Sequence, residues 1–170
     1  QSEKKEGFRT LLWDTSLGAK IALYPNLHIA DPGWRAVFRN RDFRHALSLA
    51  IDRDEINEVI YFGLAQPANN TVLPQSPLFR EEFQTKWATF DLDRADALLD
   101  GMGLEKRDRD GVRLLPDGRR LEIVVESAGE ETEQTDVLEL IHDSWLAAGI
   151  KIYTRPSQRE VFRSRIFSGE

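Results

Sequence analysis

Cysteine is absent from this 170-residue chain, so disulfides, thiolate metal ligands and cysteine nucleophiles are all excluded. No apolar run approaches the roughly 18 residues of a membrane span. The opening Gln1-Ser2-Glu3-Lys4-Lys5-Glu6 has no apolar core of the kind a signal peptide needs. A cytosolic protein, or one whose targeting segment lies outside these residues, both fit. Also missing is a basic run that would grip phosphate backbones. With 29 acidic against 23 basic side chains the formal net charge is −6, which favours neither nucleic acid nor an anionic membrane as partner. There is no internal repeat, no low-complexity tract and no linker that splits the chain. G-x-S-x-G, G-x-x-x-x-G-K-[ST], G-x-G-x-x-G and H-E-x-x-H are all lacking. The three histidines, His28, His45 and His142, stand at no metal-ligand spacing. Neither a catalytic set, a metal nor a cofactor is expected, and that favours binding over chemistry.

What is present suits one globular domain: 41% apolar and 31% charged residues, enough for a sizeable core. Alternating apolar positions predict strands at 8–13 and 20–27 around a turn at 16–18. Asp31-Pro32-Gly33 reads as a turn. A helix is expected over about 40–49, because Phe43, Leu47, Ala50 and Ile51 form one stripe. Asp52 suits the N-cap of the next helix, Glu55 the acidic half of a capping box, and Gly63 its left-handed end. Three prolines, Pro67, Pro74 and Pro77, mark 64–80 as an extended surface segment. A further helix begins near Asp91 or Asp93 and closes at Gly103. Asp110-Gly111 and Asp117-Gly118 are tight turns bracketing a short strand at 112–115. The β-branched run 121–126, an amphipathic helix at 133–148 and a strand at 150–154 compose a βαβ unit, whose strands pair in parallel. A last helix spans about 158–167. The class is therefore α/β, a mixed β-sheet flanked by helices, with its early strands antiparallel.

Some motifs have duller explanations. Asp108-Arg-Asp110-Gly111 resembles a calcium loop, but Lys106 falls where the first oxygen ligand belongs, so a hairpin turn is the better account. Glu130, Glu131 and Glu133 cluster before a helix whose dipole their charges complement. Arg39, Arg41, Arg44 and Arg53 are expected to form a solvated, ion-paired face. The four tryptophans read as core or cleft-wall residues.

The stretch Asn40-Arg-Asp42-Phe43-Arg44-His45-Ala46-Leu47-Ser48-Leu49-Ala50-Ile51-Asp52-Arg53 resembles a motif of the family 5 extracellular solute-binding proteins, the oligopeptide, dipeptide and nickel receptors of ABC importers. Three similar blocks follow in order: a helix ending at Gly63 before Gln66-Pro67-Ala68; Phe90-Asp91 leading to Ala95, Leu98, Leu99 and Gly103-Leu104; and Gly149-Ile150-Lys151-Ile152. The motif is structural rather than chemical, with Arg44 and Asp52 bracketing a helix–helix corner that small Ala46 and Ala50 let close.

The resemblance implies one partial lobe of a type II, periplasmic-binding-protein-like clamshell. Residues 1–170 would be a single domain, 1–7 a disordered or linker end, and the signal segment and a ligand-holding aspartate would lie outside. It further implies capture of a peptide or other small solute in the periplasm, delivery to ABC importer permease subunits, and membrane association only through the transporter or a lipid anchor. Ligands of α/β sheets sit beyond the carboxyl ends of strands, here 127–131 and 155–159. The resemblance puts Arg159, at the start of the last helix, at a ligand-contacting position. Arg155, Gln158, Ser127 and Glu131 are the other candidates. Two competing readings are an intracellular enzyme using Glu130, Glu131 or Asp136 as general base, and a protein-interaction scaffold with a broad apolar patch.

Overall fold

The structure is a computed structural model that describes residues 18–129 and 131–169. The first helix among the described residues, α1 (Pro32–Arg39), was not expected. Asp31-Pro32-Gly33 starts a helix instead of making an isolated turn: the Asp31 carboxylate accepts from the Trp34 amide at 2.9 Å, and Pro32 fills N1, where its missing N–H is no loss. The fork of Arg119 reaches the same carboxylate at 2.8 and 3.0 Å. Together Arg119 and the Trp34 amide hold the Asp31 carboxyl down to about 2. A helix cap and a distant hairpin are thereby joined.

Helix α2 (Arg41–Leu49) follows at once, with Asn40 ending α1 and capping α2 through the Asp42 amide at 2.8 Å. Asp52 then caps α3 (Arg53–Tyr61) through the Glu55 amide at 2.9 Å. Of the four arginines expected to form a solvated, ion-paired face, Arg41 is exposed and pairs with Asp42 at 3.7 Å, whereas the other three serve backbone carbonyls. Arg44 donates to the Phe38 and Asn40 carbonyls at 2.8 and 3.2 Å. Arg53 donates to the carbonyls of Ser48 and Ala88 at 2.8 and 3.2 Å, and Arg39 to that of Leu27 at 2.7 Å. Chain turns leave carbonyls orphaned, and a guanidinium satisfies several at once. Arg44 thus belongs to the α1–α2 corner and Asp52 to the α2–α3 corner. Ala46 and Ala50 are fully buried there beside Phe43, as close packing requires.

Helix α3 ends with Phe62 and Gly63 both left-handed, at φ 55° and 74°. The segment from 64 to 80 is irregular, and a short helix, α4 (Glu81–Thr85), follows it. Trp87, itself at φ 66°, is pinned to α2: its carbonyl accepts from Ser48 Oγ at 2.8 Å. Its ring stacks on His45 at 3.9 Å, and Arg94 lies 4.2 Å from its centroid. Asp91 caps α5 (Leu92–Gly101), which packs against α2 through Ala95 and Leu99.

The sheet is a parallel pair, β1 (Glu122–Ser127) and β2 (Lys151–Pro156), joined through α6 (Thr132–Ala147). Helix α7 (Arg159–Ser168) follows β2. Glu122 is opposite Lys151, Val124 opposite Tyr153 and Glu126 opposite Arg155. Alternation sends Ile123, Val125 and Ile152 into the core and leaves Val124 and Tyr153 46% and 45% exposed. Trp145 on α6 donates its indole N–H to the Leu47 carbonyl at 3.0 Å, fixing the βαβ unit to α2.

The α/β class is as expected, but the sheet is smaller. Antiparallel pairing among the described residues is limited to isolated bridges, Arg107 with Arg113 and Leu114 with Arg120. The strand expected at 112–115 is therefore a pair of bridges between the turns at Gly111 and Gly118, whose φ values are 82° and 87°. The strand expected at 20–27 is irregular; Ile21 and Leu23 do face the core, but no described segment forms a ladder with them. The strand at 8–13 lies outside the described residues.

Candidate functional site

The carboxyl ends of β1 and β2 lie side by side, Ser127 opposite Pro156 in the register. The Ser157 amide donates to the Ser127 carbonyl at 3.0 Å, carrying the pairing one residue beyond the ladder. Beside it the chain turns at Gly129, with φ 62°. A Cβ on Gly129 would stand 2.8 Å from Pro156 Cβ, so both conformation and space call for glycine. Around this join an open depression of about 430 Å³ is lined by residues 128–129 and 156–160.

Among the expected residues, Gln158 and Arg159 line this depression. Gln158 is the N-cap of α7 without a side-chain cap bond, and Arg159 is the first residue of that helix. Ser127 does not line it; its carbonyl accepts from the Ser157 amide. Arg155 stands just beside, its Nη1 at 3.3 Å from Glu126 Oε1 across the strands. Arg165 reaches that same oxygen from α7 at 2.9 Å. Glu131 belongs elsewhere: it precedes α6 without capping it through its side chain, and it lies 4.0 Å from Lys20 Nζ. Lys20 also pairs with Glu133 at 3.3 Å, and Glu133 accepts from the Tyr61 hydroxyl at 2.6 Å. Burial, and next the Glu133 hydrogen bond and charge, push the Tyr61 phenol well up. That cluster ties α3 to the start of α6 and is a joint, not a lining of the depression.

Gly129 and Ser157, whose hydroxyl is buried without a hydrogen-bond partner, fall inside the strand-end stretches expected at 127–131 and 155–159, although neither was singled out there. Glu126 lies outside those stretches, and its pairing with Arg155 depends on the register. Of the carboxylates considered as bases, Glu131 and Asp136 are exposed and line no part of the depression; Glu130 lies outside the described residues. Among the described residues no three His, Asp or Glu side chains gather as metal ligands. Asp108 instead accepts from the Asp110 and Val112 amides at 2.9 and 3.0 Å and pairs with Arg120 at 2.8 Å, the hairpin turn expected of it. No described helix is long and apolar enough to cross a membrane.

Comparisons with known proteins give the fold and the family. The solved structure of the oligopeptide-binding protein OppA superimposes with a TM-score of 0.89 at 36% identity, over 98% of this chain and 26% of that one. NikA from Brucella suis, solved with Fe(III)-EDTA, shares the fold at a TM-score of 0.65 and 20% identity, over 78% of this chain and 26% of that one. A probable ABC transporter-binding protein of Deinococcus radiodurans is 27% identical over 116 residues, which is 68% of this chain and 19% of that protein. The chain thus spans about a fifth to a quarter of the length of these relatives. The fold class is that of the type II periplasmic binding proteins among these neighbours. The family model described as bacterial extracellular solute-binding proteins, family 5 Middle, matches residues 4–170, and the chain belongs to that family.

Proposed function

We propose that the protein is the substrate-binding component of an ABC transporter. It captures a peptide or another small solute outside the cytoplasmic membrane and delivers it to the permease, without catalysis. Residues 1–170 form part of one lobe, and the depression at the ends of β1 and β2 is part of the wall that closes on the solute. Gln158 and Arg159 meet the solute directly, with Arg155 and the Ser127 carbonyl at the margin. Glu131 keeps its place in the Lys20 and Glu133 cluster.

The observation that carries this reading is the open depression at two parallel strand ends, lined by Gln158 and Arg159, in a chain of the solute-binding family. Strand ends in α/β sheets are where ligands gather. An open wall, rather than a closed pocket, is what a hinged receptor offers before its second lobe closes. The 36% identity to an oligopeptide-binding protein makes peptides the first solutes to try.

The test is a thermal-shift screen of the full-length protein against peptide and sugar libraries, followed by calorimetry on the best solute. Arg159→Ala is expected to weaken binding by about tenfold, the scale of a lost charged contact. Unchanged affinity in a folded variant would remove Arg159 from the site.

A further inference from the structure

Residues 62–90 run over the surface as a strap that adds little to the core. No residue from 57 to 94 is buried, and Phe62, Leu64, Val72, Leu78 and Phe83 stand exposed. Between Tyr61 and Leu92, Trp87 is the one apolar side chain packed against the core cluster. Ties further along the strap are polar and exposed: the Ala65 amide donates to Asn57 Oδ1 at 2.9 Å, and Asn70 Nδ2 to the Tyr24 hydroxyl at 3.0 Å. A segment with few buried contacts and water-exposed hydrogen bonds opens before the rest of a fold does.

Trp87 is gripped firmly at that one place. Its backbone is left-handed, at φ 66°, which a bulky residue keeps only where its surroundings impose it. Those surroundings are the Ser48 hydroxyl on its carbonyl at 2.8 Å, Arg53 on the Ala88 carbonyl at 3.2 Å, and the His45 ring stacked 3.9 Å away. At its other end the strap leaves α3 through left-handed Phe62 and Gly63, with open space around Gly63. Cations crowd the His45 seat. Arg41 and Arg44 stand beside it on α2 and Lys86 on the strap, while Asp42, 3.9 Å from His45 Nδ1, opposes them. Arg94 of α5 already occupies the indole at 4.2 Å. A charged imidazole there has to share one ring with a guanidinium and face the other cations.

We propose that Trp87 is a peg and His45 its proton-sensitive seat: a proton on His45 loosens the indole and lets residues 62–86 swing away from α2 while the βαβ unit stays folded. Mild acid favours the open strap because His45 takes a proton more readily once the indole has left it. At neutral pH the uncharged ring restores the stack. The device goes beyond the solute-receptor reading and does not depend on it.

The test is hydrogen exchange of the full-length protein, read by mass spectrometry at about pH 7.5 and about pH 5.5 and corrected for the intrinsic exchange rate, since these values bracket an ordinary imidazole. Opening of peptides spanning 64–88 is expected to rise up to about tenfold in acid, a ceiling set by a pKa near 6.5 in the open strap. Peptides from α6 should not change. His45→Gln should abolish the rise, and Trp87→Leu should open the strap at both pH values. Because Trp87→Leu removes a packed ring, the thermal midpoint of each variant is measured too; should that variant fail to fold, wild type and His45→Gln carry the comparison. Five outcomes overturn the proposal. They are equal opening at the two pH values, tighter closure in acid, equal loosening of strap and α6, a rise that survives His45→Gln, and a strap that stays closed in folded Trp87→Leu. Tighter closure would mean that the indole welcomes the imidazolium as a cation–π partner.

Discussion

Arg113 is 1% exposed, the most deeply buried charged side chain among the described residues. Its guanidinium donates to the carbonyls of Ala148 and Leu104 at 2.8 and 2.7 Å, and to the carboxylates of Asp96 at 2.7 Å and Asp100. It therefore joins α5, the hairpin and the turn before β2 at one point. The two carboxylates remain partly exposed, so solvent softens their loss; the stranded carbonyls and the cavity would not be so spared. Arg113→Ala is expected to lower stability by about 3 kcal/mol, measured by denaturant unfolding, and Arg113→Lys to recover little of it because an ammonium lacks the fork. A second residue-scale effect depends on pH. Burial first, then the charges of Arg41, Arg44 and Lys86, lower the His45 pKa from its ordinary 6.5, with Asp42 opposing them. Trp87 stacks on one face of its ring. Since the unfolded chain takes up this proton first, His45 contributes stability that is complete above about 6.5 and declines as pH falls toward the folded value. His45→Gln should flatten that part of a stability–pH curve, and an unchanged slope would reject the assignment. Neither role was visible beforehand: Arg113 sits in a short, charged, turn-rich stretch, and only folding shows that it points inward.

The elements were legible wherever a cap and an apolar stripe coincided. Asp52 was a sound guide because a short carboxylate bonds amides two or three residues on, whatever the tertiary setting; Asn40 and Asp91, expected only near helix starts, cap their helices in the same way. Asp52→Ala is accordingly expected to lower stability by about 1 kcal/mol through the freed Glu55 amide, with Asp52→Asn nearly neutral in the same thermal or denaturant measurement. Helix α1 escaped because Asp31-Pro32-Gly33 suits a turn as well as a helix start; what decides between them is Arg119, 88 residues away. Strand pairing was the less legible part. Ile21 and Leu23 were rightly read as inward-facing, yet alternation reports burial and says nothing about whether a neighbour offers hydrogen bonds. The candidate site divides along the same line. The βαβ pattern gave the strand ends and the family resemblance singled out Arg159, but the Glu126–Arg155 pairing needed a register that periodicity does not contain. Glu131 falls just past β1, as the strand-end argument had it, and faces Lys20 rather than the depression.

At the scale of the whole molecule, several large apolar side chains face outward: Val124 and Tyr153 on the free face of the sheet, Phe62 and Leu64 past α3, Phe167 on α7. Such surfaces suit a part of a larger body, in keeping with relatives of which this chain covers 26% or less. The binding reading rests on the same fact, since a wall that supplies only some contacts to a solute is effective only when a second wall meets it. One local arrangement offers a way to watch the protein at work. The indole of Trp87 lies nearly parallel to the imidazole of His45, 9° apart in plane, beneath a guanidinium and at the end of a carbonyl held by α2. Indole emission is sensitive to a charge on its neighbour, so proton uptake at His45, or any slippage of the 64–90 segment, will register as a change of brightness. The fold thereby carries its own lamp, set away from the strand ends and free of any need for a dye.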